Sequence, residues 1–241
     1  MNIMILILAA LLPAILLFLY ICKQDPQPEP KSWLTKALLY GVGISVPIVI
    51  VELAIEYAIF GGEISTLFDT TIRAFFVAAL PEEGFKLLAL WLVLRKNPYF
   101  DEHFDGIVYA VCVSLGFAAV ENITYVVSEE ENWMSVAILR SLLAVPGHYA
   151  FAVLMGYYYS LYHFVDHSRR TAVCILLVPV LAHGIYDTFA LSGTVDPSIG
   201  GIGAIALIYF CVKMHKFART KMLAQIERDS KRIHGESSSY A

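Results

Sequence analysis

The chain has 241 residues, of which 58% are hydrophobic and 16% charged, and its mean hydropathy is +0.66. A soluble domain carries roughly 25% charged residues, so this composition excludes a water-soluble globule and indicates a polytopic membrane protein. The formal net charge of -4 gives no basic patch for nucleic acid, because the lysines and arginines are spread between hydrophobic runs.

Seven runs are long enough for the ~20 apolar residues that a ~30 Å hydrocarbon core requires. In chain order they are Ile3–Cys22, Leu34–Phe60, Phe68–Leu94, Phe104–Val127, Trp133–Val165, Thr171–Leu191 and Ile199–Phe217. The expected fold is all-α, a transmembrane bundle of about seven spanning helices. The first run lacks both a preceding basic residue and a small-x-small cleavage site, so it reads as a retained anchor rather than a signal peptide. Cys22, Cys112, Cys174 and Cys211 lie within or at the ends of these runs without paired metal spacing, which argues against disulfides and a zinc knuckle.

The connections alternate in charge. Lys23, Lys31 and Lys36 follow the first run, Arg95 and Lys96 the third, Arg169 and Arg170 the fifth, and Lys213 to Arg232 the seventh. Glu63, Asp69, Glu129, Glu130, Glu131 and the stretch 192–198 occupy the other side. The positive-inside rule then places the N-terminus outside and the C-terminus in the cytoplasm of a multi-pass cell-membrane protein. Asp25 to Lys31, with three prolines, reads as an extended linker. Residues 214–233 read as a stop-transfer cluster or a basic amphipathic helix on an anionic leaflet. No repeat is evident, so we expect a single integral-membrane domain over 1–235 and a disordered tail over 236–241.

Against this apolar background, Pro81-Glu82-Glu83-Gly84-Phe85-Lys86 is conspicuous. A charge near a bilayer centre costs at least ~2.5–3.5 kcal/mol on insertion scales, so three together indicate a functional site. At ~1.5 Å per residue the carboxylates lie some 15–20 Å below the outer end of their helix. Pro81 lacks an N–H, which predicts a break there with Glu82 and Glu83 at the start of the following half-helix. Lys86 is four residues from Glu82 and three from Glu83 and can reach both. One carboxylate would suffice to neutralise it. Two adjacent carboxylates in a low-dielectric site tend to share a proton and so supply a general acid or base.

Glu121 on the fourth run, His148 on the fifth, and His183 with Asp187 on the sixth fall at a similar depth, and the i,i+4 pair shares one helix face. Each histidine alone suits a packing role; together these groups suggest one cavity. Asp105-Gly106 reads as a cap or turn, and Glu52, Glu56 and Arg140 as structural, with Arg140 snorkelling outward or pairing with one of those two acids.

The ordered set Glu82-Glu83-x-x-Lys86, Phe104-Asp105-Gly106-Ile107-Val108-Tyr109, Glu121-Asn122, His148 and His183-Gly184-x-Tyr186-Asp187 resembles the motifs of the PrsW family of membrane proteases. It is similar more widely to the clan of CAAX-type prenyl endopeptidases and their bacterial relatives. The likeness covers nearly the whole chain. It implies a glutamic-type intramembrane endopeptidase that makes the first regulated cut in a membrane-anchored anti-sigma factor, on the extracytoplasmic side, during envelope stress. The partners implied are a single-pass membrane substrate and lipid, with no cofactor. The family's double-glutamate motif falls on Glu82 and Glu83, its phenylalanine-x-x-x motif on Phe117 with Glu121, and its last motif on His183 with Asp187. The chain departs from the prenyl-endopeptidase pattern in having Glu121 where that pattern ends in histidine, and Lys86 one position closer.

In this reading Glu82 or Glu83 activates a water, His183 or His148 stabilises the oxyanion or protonates the leaving nitrogen, Asp187 orients His183, and Lys86 holds one carboxylate ionised. Three other readings stay open from the residues alone. His148, His183 and a glutamate could bind zinc. The same groups could relay protons or cations in a transporter. An inert scaffold could bind partner helices through Gly41, Gly43, Gly200, Gly201 and Gly203.

Overall fold

The computed structural model describes residues 3–61, 66–129 and 131–238, with side chains described as far as residue 232. Glu63 and Glu130 of the acidic connections and residues 239–241 of the expected tail lie outside the described residues. The rest of that tail, 236–238, continues the last helix, without described side chains.

Seven helices and no strands are found among the described residues. They are α1 (Ile3–Gln24), α2 (Lys31–Phe60), α3 (67–94), α4 (Asp105–Ser128), α5 (Trp133–Phe164), α6 (Arg169–Leu191) and α7 (Pro197–Ser238). Six are long and apolar enough to cross a membrane; the other, α3, carries the charged Glu82, Glu83 and Lys86. The protein is an all-α, multi-pass membrane bundle.

The centre of the bundle is α4, where every residue from Asp105 to Ala118 is buried. A helix that is apolar on all sides belongs in an interior, and α1, α2, α3 and α5 all pack around this one. The outer helices show leucine and isoleucine outward, as Leu8, Leu16, Leu39 and Ile50 do, which suits a hydrocarbon solvent.

Close approach of α2 to α4 depends on two glycines. A Cβ on Gly41 would collide with the Val113 carbonyl, and one on Gly116 with the Leu38 carbonyl. Small residues at a crossing let two backbones touch and gain dispersion contacts that lipid does not offer. Gly41 is thus used inside the bundle instead of holding a partner helix, as is Gly203 against Ser192 and Phe189.

The break expected at Pro81 does not occur. Helix α3 widens into a π-helical turn at Ala74–Ala79, in which the Leu80 N–H bonds to the Phe75 carbonyl, and winding then resumes through Leu94. A wide turn accommodates the ring and missing donor of the proline without ending the helix. The same device precedes Pro146 in α5, where Arg140–Ala144 is π-helical and the Val145 N–H bonds to the Arg140 carbonyl. The side chains that follow, Glu82 and Glu83 on α3 and His148 on α5, owe their direction to these turns.

The basic end of α7 does not lie free on a surface. Met214, Ala218, Met222, Gln225 and Asp229 form a buried stripe at helical spacing, and the Gln225 Nε2 donates to the Tyr157 carbonyl of α5 at 3.2 Å. Asp229 accepts the N–H groups of His103 at 2.9 Å and Phe104 at 2.8 Å. The tail thereby clamps the loop that leads into α4. Asp105 is the turn residue expected: its Oδ2 accepts the N–H groups of Asp101 at 3.0 Å and Glu102 at 2.7 Å.

Candidate active site

All seven residues singled out in the sequence meet in one place. The centre is the Lys86 ammonium, which donates to Glu82 Oε2 at 2.9 Å and Glu83 Oε1 at 2.8 Å and lies 3.2 Å from His148 Nδ1. An ammonium has three donors and no acceptor, so these partners account for all of its hydrogens. His148 Nδ1 is then an acceptor, and the ring carries its proton on Nε2, which lies 2.7 Å from Glu121 Oε2.

His183 is held differently. Its Nδ1 is 3.0 Å from Glu83 Oε1 and its Nε2 is 3.3 Å from Asp187 Oδ2, so both ring nitrogens face a carboxylate. Phe151 stacks on the ring at 4.7 Å, and His148 meets it edge-on at 5.3 Å. The Lys86 ammonium sits 4.4 Å from the ring centroid of Phe117, so the aromatic residue of the phenylalanine motif faces the central cation. Glu82, Glu83, Lys86, His148 and His183 are buried, whereas the Glu121 and Asp187 side chains keep 20% and 18% of their surface exposed and border open space.

Arg140, expected to snorkel outward or to pair with Glu52 or Glu56, instead joins the central group. Its guanidinium is 2.8 Å from Glu121 Oε2, its Nε donates to Asn122 Oδ1 at 2.8 Å, and it lies 4.0 Å from the centroid of Tyr125. Asn122 in turn donates to the Ala10 carbonyl at 2.7 Å and so ties the arginine to α1. Glu56 pairs with Arg73 instead, at 2.9 Å. The sequence signal for Arg140 was the one that exposed Glu82, a charge inside an apolar run, but sequence gives depth along a helix and not the neighbour it faces.

Two clefts flank these residues. One, of about 440 Å³, is lined by Glu82, Glu121, Arg140, His148, His183 and Asp187 together with small residues such as Gly193, Gly200 and Ala204. The other, of about 340 Å³, reaches Glu82 and Glu121 from the side of α2, with Glu52 and Ser45 in its wall. Glu82 and Glu121 border both, and Glu83 lies behind them, fully buried.

Four carboxylates here face two permanent cations, Lys86 and Arg140, which leaves two formal negative charges for protons on the imidazoles or for a metal ion. Glu82, Glu83, His148 and His183 each offer a donor atom within 4.8 Å of the others, and Glu83 Oε2 is buried with no hydrogen-bond partner among the described residues. Two imidazoles with carboxylate oxygens fit a zinc-type ion by donor chemistry, but the Lys86 ammonium takes up donors of Glu82, Glu83 and His148 and would have to give them up to an ion.

Residues 29–215 match the family model described as "PrsW family intramembrane metalloprotease". The chain is 37% identical to Protease PrsW of Clostridioides difficile strain 630, over 76% of this chain and 77% of the relative. It is 35% identical to Protease PrsW of Oceanobacillus iheyensis (77% and 82% covered) and 34% identical to that of Bacillus subtilis strain 168 (74% and 79% covered). No solved structure matches the chain.

Proposed function

Because the chain belongs to the PrsW family of intramembrane proteases and is a membrane-embedded peptide hydrolase, we propose that its buried carboxylates cut a peptide bond of a single-pass membrane protein by activating water. The observation that carries this reading is the meeting of Glu82, Glu83, His148 and His183 within 4.8 Å beside an open cleft. Glu82 is the base, since it borders both clefts while Glu83 is enclosed. It takes a proton from water, the oxygen attacks the scissile carbonyl carbon, and the tetrahedral intermediate collapses with release of the amine. His183, held between Glu83 and Asp187, protonates the leaving nitrogen. Glu83 and Lys86 position the pair: the ammonium keeps a positive charge beside Glu82 without a second ion.

The substrate segment must unwind before its amides become accessible, and the small residues along the larger cleft leave room for it. We extend the reading to a membrane-anchored anti-sigma factor cut first on its extracytoplasmic side under envelope stress, as the motif likeness implies. A transporter needs none of this hydrolytic apparatus, and membership of a protease family sets that reading aside.

A metal-dependent variant is favoured by one specific observation, the partnerless Oε2 of buried Glu83. Glu82, Glu83, His148 and His183 would hold the ion. A metal bound there would polarise the scissile carbonyl and acidify a bound water.

The test is cleavage of a single-pass segment by purified protein in detergent, comparing the intact chain with Glu82→Gln and Glu83→Gln, with and without a chelator. We expect Glu82→Gln to lower the rate by about 10²–10⁴-fold, the usual contribution of a general base, and chelator to leave the intact enzyme active. Full activity of Glu82→Gln would sink the assignment. Strict dependence on added ion would replace it with the metal mechanism.

A further inference from the structure

A second group of acids lies at the other end of α4, apart from the carboxylates described above. Asp25 from the α1–α2 linker, Glu102 from the α3–α4 loop and Asp105 at the start of α4 each offer an oxygen within 4.8 Å of the others, and all three are buried. Glu29, also from the linker, adjoins Asp105 and accepts the Tyr109 hydroxyl. None of these four acids pairs with a lysine or arginine among the described residues; Gln27, whose Nε2 donates to Glu102, brings no charge.

Their hydrogen bonds leave specific atoms over. Asp105 directs Oδ2 to the two loop amides, and Asp25 Oδ1 accepts the Gln27 N–H at 3.1 Å. No amide, hydroxyl or cationic donor among the described residues reaches Asp105 Oδ1 or Glu102 Oε2, although Asp105 is fully buried and Glu102 only 2% exposed. Buried carboxylate oxygens without a donor cost several kcal/mol unless a proton or a cation meets them. Three converging carboxylates, with no imidazole or thiolate, form a hard-oxygen donor set.

We propose that Asp25, Glu102 and Asp105 bind one hard divalent cation, of the magnesium or calcium class, that fastens the α1–α2 linker and the α3–α4 loop to the foot of α4. The site is structural and distinct from the hydrolytic centre. The same loop is already gripped by Asp229. A cation there would complete its anchoring.

The experiment is titration calorimetry and thermal melting of the full-length protein in detergent at pH 7.5, stripped with chelator, with magnesium chloride and calcium chloride in separate arms. We expect saturable binding of one ion per chain and a rise in melting midpoint for at least one of the two salts. Glu102→Gln and Asp25→Asn should abolish both, whereas Glu83→Gln, which disables the other acidic cluster, should keep both. Asp25 lies in a linker, so its variant tests the site even if the α4 substitution Asp105→Asn fails to fold. Absence of binding by the intact protein would show that shared protons alone satisfy these acids, and would overturn the proposal. Undiminished binding in Glu102→Gln and Asp25→Asn would do the same.

Discussion

Arg140 carries a fixed positive charge to the one site carboxylate that neither Lys86 nor His183 touches. Its fork holds Glu121 and Asn122 at once, a geometry that the single ammonium of lysine does not reproduce. Arg140→Lys should therefore lower kcat by ~10- to 100-fold, the ~1.5–3 kcal/mol of a charge-assisted hydrogen bond, with KM little changed, as steady-state cleavage kinetics would show. Unchanged kcat would reduce Arg140 to packing. The seven residues of the candidate site stood out in the sequence because ionisable groups inside hydrocarbon are costly, and cost marks position. Their pairing was not legible, since the face a side chain presents depends on local winding and on neighbours such as Asn122. At the other end of α4, burial raises Asp25 to about 6, with Asp229 adding to it, and burial raises Glu102 to about 7, with Asp229 and Asp25 adding to it. The folded chain thus keeps protons there that the unfolded chain, with ordinary carboxyls near 4, releases. In chelator, stability should fall as pH rises from about 4 to about 7. Melting midpoints across that range should show the decline, with a shallower slope in a Glu102→Gln, Asp25→Asn double variant.

At the scale of the element, the spans were readable from apolar length and the connections from prolines and charge. The π-helical turns were not, because a single added residue leaves no mark on hydropathy. Sequence chemistry therefore predicted a broken α3 where an unbroken one, widened over Ala74–Ala79, occurs. The α2–α4 crossing provides a matched pair of substitutions. Gly41 has the Val113 carbonyl directly opposite, whereas Gly43, on the same helix, has nothing within 4 Å of where a Cβ would stand. Gly41→Ala should force the backbones apart and cost about 1–3 kcal/mol, in the range of an overpacked core, while Gly43→Ala should be neutral or slightly stabilising in a helix. Equal melting midpoints for the two would remove the crossing from the account of stability.

For the whole molecule, the alternating charge of the connections fixes an expected orientation that the packing leaves free. A membrane-impermeant thiol reagent should label Asn132→Cys in intact cells and His167→Cys only after permeabilisation, each in a background without the native cysteines. Reversed labelling would put the two clefts nearer the cytoplasmic leaflet and rule out an extracytoplasmic cut. The bundle also contains one helix that is far longer than spanning requires. Helix α7 has 42 residues, ~63 Å at ~1.5 Å each, about twice the ~30 Å of hydrocarbon. Near one end Gly200, Ala204 and Leu207 wall the larger cleft, and toward the other Asp229 grips the loop below α4. An uninterrupted rod of that kind makes the loop below α4 and the wall of the larger cleft, ~33 Å apart along the helix, two ends of one element.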